Sequence, residues 1–151
     1  MFYAANEKVL IVEDDEDIGN VLKDYLVSEG FGVQICNNGK NAVRDFKAFK
    51  PEIIILDIML PGVDGIEICR TIRAESIVPI IMLSAKSGDI DKILSLGIGA
   101  DDYITKPFSP DEVIARIKAQ LRRYKTFSNQ TESQPGIKEF NDLTIDSNGY
   151  K

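Results

Sequence analysis

Glu13, Asp14, Asp57, Ser84 and Lys106 each stand at the end of a short run rich in Val, Ile and Leu or Tyr, Ile and Thr. Carboxylates can hold a hard cation or attack a phosphoryl group, a hydroxyl can donate to it, and a lysine can neutralise its charge. Three carboxylates brought to one edge repel one another, and a divalent cation relieves that repulsion. Mg²⁺ suits a site with few carboxylates plus water and a phosphate oxygen. The chain has no histidine and two cysteines, Cys36 and Cys69. Imidazole acid–base catalysis and a Cys/His zinc site are therefore excluded. Singly, each residue has a plain structural role: Asp15, Glu16 and Asp17 complement the dipole of a helix start, Asp57 starts a turn before Pro61-Gly62, Ser84 is a strand-end hydroxyl and Lys106 a surface lysine. Four strand ends delivering matched groups to one edge favour the joint reading, a carboxylate nucleophile accepting phosphate.

For these groups to meet, the elements must form a particular sheet. Apolar runs alternate with amphipathic stretches as repeated βα units. Strands are predicted at Lys8 to Val12, Gly32 to Cys36, Glu52 to Leu56, Pro79 to Leu83 and Asp102 to Thr105. Helices are predicted at about Asp15 to Glu29, Gly39 to Phe49, Asp64 to Ala74, Gly88 to Leu96 and Pro110 to Tyr124. The last has Ser109 as N-cap, Pro110 at its first position and Glu112 placed for a capping box. The run Ile53 to Leu56 reads as buried on both faces, the middle of the sheet. The fold class is thus α/β, a flavodoxin-like (βα)5 doubly wound parallel sheet. With strand order 2-1-3-4-5, Glu13, Asp14 and Asp57 meet at the switch point, where such sheets bind ligands.

The 151 residues carry 24 Asp and Glu against 18 Lys and Arg, a net charge of −6, without the basic footprint of a nucleic-acid binder. No apolar run approaches the ~20 residues that span a bilayer, so a soluble, cytoplasmic protein without membrane contact is expected. From Thr126 to Gly136 the composition turns to that of a flexible linker. Phe140, Leu143 and Ile145 then lead into an Asn148-Gly149 hairpin signal, the expected opening of a second domain. FMN binding is disfavoured because five consecutive acids, Glu13 to Asp17, would repel a phosphate. A haloacid-dehalogenase-type phosphatase wants a second acid where Met59 stands. A module of this fold that signals without phosphorylation is expected to lack one of Glu13, Asp14, Asp57 or Lys106, and all are present.

Residues from about Glu7 to Tyr124 closely resemble a response-regulator receiver domain of two-component signalling. The resemblance is carried by Val9-Leu10-Ile11-Val12-Glu13-Asp14, Ile55-Leu56-Asp57-Ile58-Met59-Leu60-Pro61-Gly62, Leu83-Ser84-Ala85 and Gly99-Ala100-Asp101-Asp102-Tyr103-Ile104-Thr105-Lys106-Pro107-Phe108. The last segment and the residues from Phe140 to Asp146 are similar to the OmpR/PhoB type of transcriptional regulator. The resemblance implies a receiver over residues 1–124, a linker over 125–137, and at 138–151 the opening strands of a truncated winged-helix DNA-binding domain. It implies that Asp57 takes phosphate from a sensor histidine kinase. Mg²⁺ would be held by Asp14, Asp57 and the Met59 backbone carbonyl, with Glu13 acting through water. Ser84 and Lys106 would contact the phosphoryl group, and Tyr103 would turn inward as Ser84 moves. Ser84 stands where threonine is commoner, keeping the hydroxyl. The chain would be a signalling phosphoacceptor that catalyses its own phosphorylation and dephosphorylation rather than an enzyme with an external product. A homodimer on phosphorylation would use the face of the fourth helix, fifth strand and fifth helix, with Lys92, Asp101, Asp102, Glu112, Arg116 and Arg123 as ion-pair residues. Promoter DNA would be bound only through the missing domain. A cis Lys106-Pro107 bond and kinase specificity around Ile18, Val21 and Leu22 are also expected.

Overall fold

The computed structural model describes residues 7–85, 97 and 99–133, with backbone alone for 127–133. The chain divides into a unit ending at Leu121 and a second beginning at Arg122. In chain order the elements are β1 (Lys8–Val12), α1 (Glu16–Ser28), β2 (Gly32–Cys36), a 3-10 turn (Gly39–Asn41), α2 (Ala42–Phe49), β3 (Ile53–Asp57), β4 (Met59–Leu60), β5 (Val63–Asp64), α3 (Gly65–Arg73), β6 (Ile80–Ser84), β7 (Asp102–Thr105) and α4 (Pro110–Ser133). The main sheet has the order β2-β1-β3-β6-β7 with every pairing parallel, which is the expected 2-1-3-4-5 arrangement.

Strand alternation splits the core in two. Leu10, Val12, Ile54, Leu56, Ile80 and Met82 point to one side, where Phe46 of α2 and Ile68, Cys69 and Ile72 of α3 cover them. Val9, Ile11, Ile53, Ile55, Ile81, Leu83 and Ile104 point to the other, against Leu22 and Leu26 of α1 and Val113, Ile114, Ile117 and Leu121 of α4. Every residue of β3 is buried, the middle strand that its apolar run implied.

The structure refines several expectations. Asp15 is the N-cap of α1 rather than its first residue: its carboxylate accepts from the amides of Asp17 and Ile18 at 2.9 and 3.2 Å. Residues 59–64 form a small antiparallel hairpin, with Gly62 at φ +72° in the turn after Pro61; such a Pro-Gly pair is typical of a type II turn. At α4, Ser109 Oγ accepts the Glu112 amide at 3.1 Å as expected, while the Glu112 carboxylate turns to Arg116. That helix continues past Tyr124 to Ser133 because nothing before Pro135 breaks it, so the first residues of the expected linker are helical. The expected helix Gly88 to Leu96, the hairpin after Phe140 and the rest of the linker lie outside the described residues.

Candidate functional site

The register places the chemistry. Val12 pairs with Leu56 across β1 and β3, so Glu13 and Asp57 leave the sheet side by side. Glu13, Asp14 and Asp57 each offer a carboxylate oxygen, and these oxygens lie within 4.8 Å of one another. Glu13 and Asp57 are buried while Asp14 is exposed at the rim, beside a polar depression of about 610 Å³ bounded by Asn37, Asn38, Lys40, Pro61 and Gly62.

Lys106 enters from the end of β7, its amide donating to the Ser84 carbonyl at 2.7 Å. Its Nζ lies 3.1 Å from both Asp57 Oδ2 and Glu13 Oε1. The bond to Asp57 is a directed hydrogen bond; the approach to Glu13 Oε1 is close enough for an ion pair but leaves that buried oxygen without a hydrogen-bond donor among the described residues. Burial lowers the affinity of Lys106 for its proton, yet Asp57 and then Glu13 outweigh it and hold the ammonium above its ordinary value. Burial pushes the Glu13 carboxyl up to about 7, with the hydrogen bond and charge of Asp57 adding to the effect; the Asp15 amide and Lys106 act the other way. One ammonium between two buried carboxylates is thus incomplete compensation, and an oxygen-seeking cation matches the donor set that remains.

The Met59 amide donates to Asp57 Oδ1 at 3.0 Å, fixing the carboxylate, while the Met59 side chain is 67% exposed at the rim. Ser84 is fully buried at the end of β6, beside Asp57 and Leu83 of the β3–β6 pairing, with Oγ donating to the Ala85 carbonyl at 2.9 Å. Tyr103 is half-buried and packs on the core beneath α2 and α3. The Lys106–Pro107 peptide is cis, as expected. Asp14, Asp57, Glu13, Ser84 and Lys106 are therefore brought to one edge, and Asp15 is withdrawn from it by its capping role.

Of the residues expected at a dimer face, Lys92 lies outside the described residues and Arg123 is exposed in the second unit. Arg116 pairs within the chain with Asp102 at 2.8 Å and Glu112 at 3.3 Å. Asp101 accepts from Arg73 at 2.6 Å and from the Ile80 amide at 2.8 Å. On α1, Ile18 and Val21 are accessible but Leu22 is in the core, 1% exposed, so it is no part of a recognition surface. Ile18 and Val21 instead line an apolar groove of about 560 Å³ with Ala85, Pro107, Phe108 and Pro110, next to Lys106. Sequence reasoning missed the groove because its halves are far apart in the chain. It also passed over Gly65, the first residue of α3, although a glycine within a helical pattern weakens the helix and so points to a packing reason.

Residues 9–118 match the family described as response regulator receiver domain. The regulatory protein VanR of Enterococcus faecium is 44% identical over 146 residues, 97% of this chain and 63% of its own length. The regulatory protein VanRc of Enterococcus gallinarum is 42% identical over 135 residues, 89% of this chain and 58% of its own. The chain thus spans about six-tenths of these relatives. Among solved structures, the receiver domain of Francisella response regulator 1452 superposes with a TM-score of 0.74 at 35% identity, covering 79% of this chain and 99% of that one. The BeF3-activated N-terminal receiver domain of Klebsiella pneumoniae RstA gives 0.73 at 38%, covering 77% and 99%. DrrB of Thermotoga maritima, described as an OmpR/PhoB homologue, gives 0.71 at 34%, covering 78% and 54%. The family match over most of the chain and relatives above 40% identity place it plainly: the chain belongs to the response-regulator receiver family.

Proposed function

We propose that the chain is the Mg²⁺-dependent phosphoacceptor of a two-component response regulator, with Asp57 taking a phosphoryl group from a sensor histidine kinase. The observation that carries the reading is the placing of Lys106 Nζ 3.1 Å from both Asp57 and Glu13, with Asp14 at the rim. Asp14, Asp57 and the Met59 carbonyl would hold Mg²⁺, with Glu13 acting through water. When bound, the ion supplies positive charge for the carboxylates and the incoming phosphoryl oxygens. An Asp57 oxygen attacks phosphorus; the bond from phosphorus to the donor imidazole nitrogen breaks, and that nitrogen keeps the electron pair. The product is an acyl phosphate. Lys106 exchanges its bond to Asp57 for one to the phosphoryl group, and the Ser84 hydroxyl turns from the Ala85 carbonyl to a phosphoryl oxygen. Tyr103 follows into the space that Ser84 leaves. The apolar groove along Ile18 and Val21 is where a kinase helix would dock, in a cytoplasmic setting.

Output rests on the same reading. Phosphorylation would favour a homodimer through Asp101, Asp102, Glu112, Arg116, Arg123 and Lys92, with the intrachain pairs of Arg116 and Asp101 exchanging partners. The relatives' greater length and the OmpR/PhoB likeness support DNA binding and transcription regulation by a full-length parent, through a domain beyond this chain. Incubation with Mg²⁺ and acetyl phosphate, followed by intact-mass measurement, tests the core of the proposal. One added phosphate that disappears in Asp57→Asn is expected; equal labelling of that variant would assign the acceptor elsewhere.

A further inference from the structure

We infer that Gly65 is a positioning residue for the phosphoacceptor, its missing side chain allowing the first turn of α3 to brace the Asp57–Ile58 backbone. A Cβ at position 65 would stand 2.3 Å from the Asp57 carbonyl oxygen and 2.8 Å from both Cα and the carbonyl oxygen of Ile58. These are backbone atoms, and no rotamer change clears them. The contact is also a bond: the Gly65 amide donates to the Ile58 carbonyl at 3.0 Å. On its other side the same stretch is tied to β6, where the Ile58 amide donates to the Leu83 carbonyl at 2.9 Å. The peptide that carries Asp57 is therefore held between the sheet and the start of a helix. One residue further on, the Met59 amide fixes Asp57 Oδ1 at 3.0 Å. A push at residue 65 reaches the nucleophile and the proposed Met59 carbonyl ligand together. Asp64 completes the brace by capping α3, its carboxylate accepting the Ile66 amide at 2.9 Å.

Glycine is a poor choice inside a helix on propensity alone, and Gly65 lies in ordinary helical conformation, so its selection is explained by the approach rather than by the backbone angle. Gly39 is a useful contrast. A Cβ there meets side chains only, Leu60 Cδ1 at 3.0 Å and Val63 Cβ at 3.3 Å. It crowds the neighbouring loop without touching the Asp57 peptide.

The inference rests on Asp57 being the phosphoacceptor, and the test separates the two. Wild type, Gly65→Ala, Gly39→Ala and Asp64→Ala are compared by urea denaturation, by calorimetric titration with MgCl2, and by acetyl phosphate labelling per folded molecule. Both alanine-for-glycine variants should lose stability. Misplacing a reacting group by a fraction of an ångström to 1 Å is costly, so Gly65→Ala should label at least about tenfold more slowly and bind Mg²⁺ more weakly. Gly39→Ala should retain both properties. Asp64→Ala keeps the glycine and should slow labelling a few-fold, which keeps the test decisive where Gly65→Ala does not fold. Wild-type labelling and Mg²⁺ affinity in Gly65→Ala, or in Asp64→Ala where only that variant folds, overturn the inference. So does an equal loss in Gly39→Ala. An unlabelled wild type overturns the phosphoacceptor reading itself.

Discussion

Replacing Asp57 by asparagine is expected to flatten the pH dependence of folding stability in the metal-free protein. Glu13 holds its proton in the folded state until about pH 7, whereas the unfolded chain releases it near the ordinary 4.5. Between those values the folded state binds more protons, so stability falls as pH rises and levels off above about 7. The full difference is roughly 3 kcal/mol at about 1.4 kcal/mol per pH unit. Burial is the largest cause and survives the substitution; the hydrogen bond and charge of Asp57 do not. The variant should therefore lose about 1 kcal/mol less than wild type between about pH 5 and about pH 8. Loss of the Lys106 bond to Asp57 shifts the whole curve without imitating this change of slope, because lysine stays charged across the range. Urea unfolding in a chelator, followed by circular dichroism since the chain has no tryptophan, gives the two curves. Parallel curves would refute the coupling of Glu13 to Asp57, and a wild type whose stability is flat across the range would refute the raised Glu13 itself.

Mg²⁺ affinity should rise with pH and level off above about 7, by up to about tenfold per unit below it, because Glu13 must lose its proton to act; calorimetry near pH 6 that detects no proton release contradicts this. Asp15→Ala should cost about 1 kcal/mol through loss of the α1 cap and leave labelling intact; slowed labelling at unchanged stability would return Asp15 to the site. Arg116→Glu, which sets a third acid beside Asp102 and Glu112, should abolish beryllofluoride-induced dimerisation in sedimentation. It should cost the monomer less than about 1 kcal/mol, as exposed pairs are weak; an intact dimer refutes the proposed face.

The strands and the meeting of Glu13, Asp14, Asp57, Ser84 and Lys106 were legible because a parallel sheet maps strand ends onto one edge. What sequence could not supply was direction within that edge. Asp14 and Asp15 are adjacent acids, and only the turn of the backbone makes one a rim carboxylate and the other a cap. Leu22 follows Val21, but the helix face that each occupies is decided by which side of α1 meets the sheet. The length of α4 was missed for another reason: Thr126 to Ser133 is polar, and polarity does not distinguish a solvated helix from a linker when no proline or glycine interrupts it. The brace at Gly65 joins backbone atoms, which no side-chain pattern records.

Because both faces of β3 are covered, its apolar residues do not say which way the strand must sit. Shifted by one position, Ile53, Ile54, Ile55 and Leu56 would exchange cores with little change in volume. The polar ends decide instead. Glu52 donates its amide to the Lys8 carbonyl at 2.8 Å and accepts the Lys8 amide on its carboxylate at 2.7 Å. Asp57 closes the other end. A slip in either direction would draw one of these carboxylates a position inward, out of its present bonds and among apolar neighbours. The acid that is proposed to accept phosphate therefore also guards the alignment of the sheet during folding, and a neutral residue there removes a penalty against misaligned chains as well as a nucleophile.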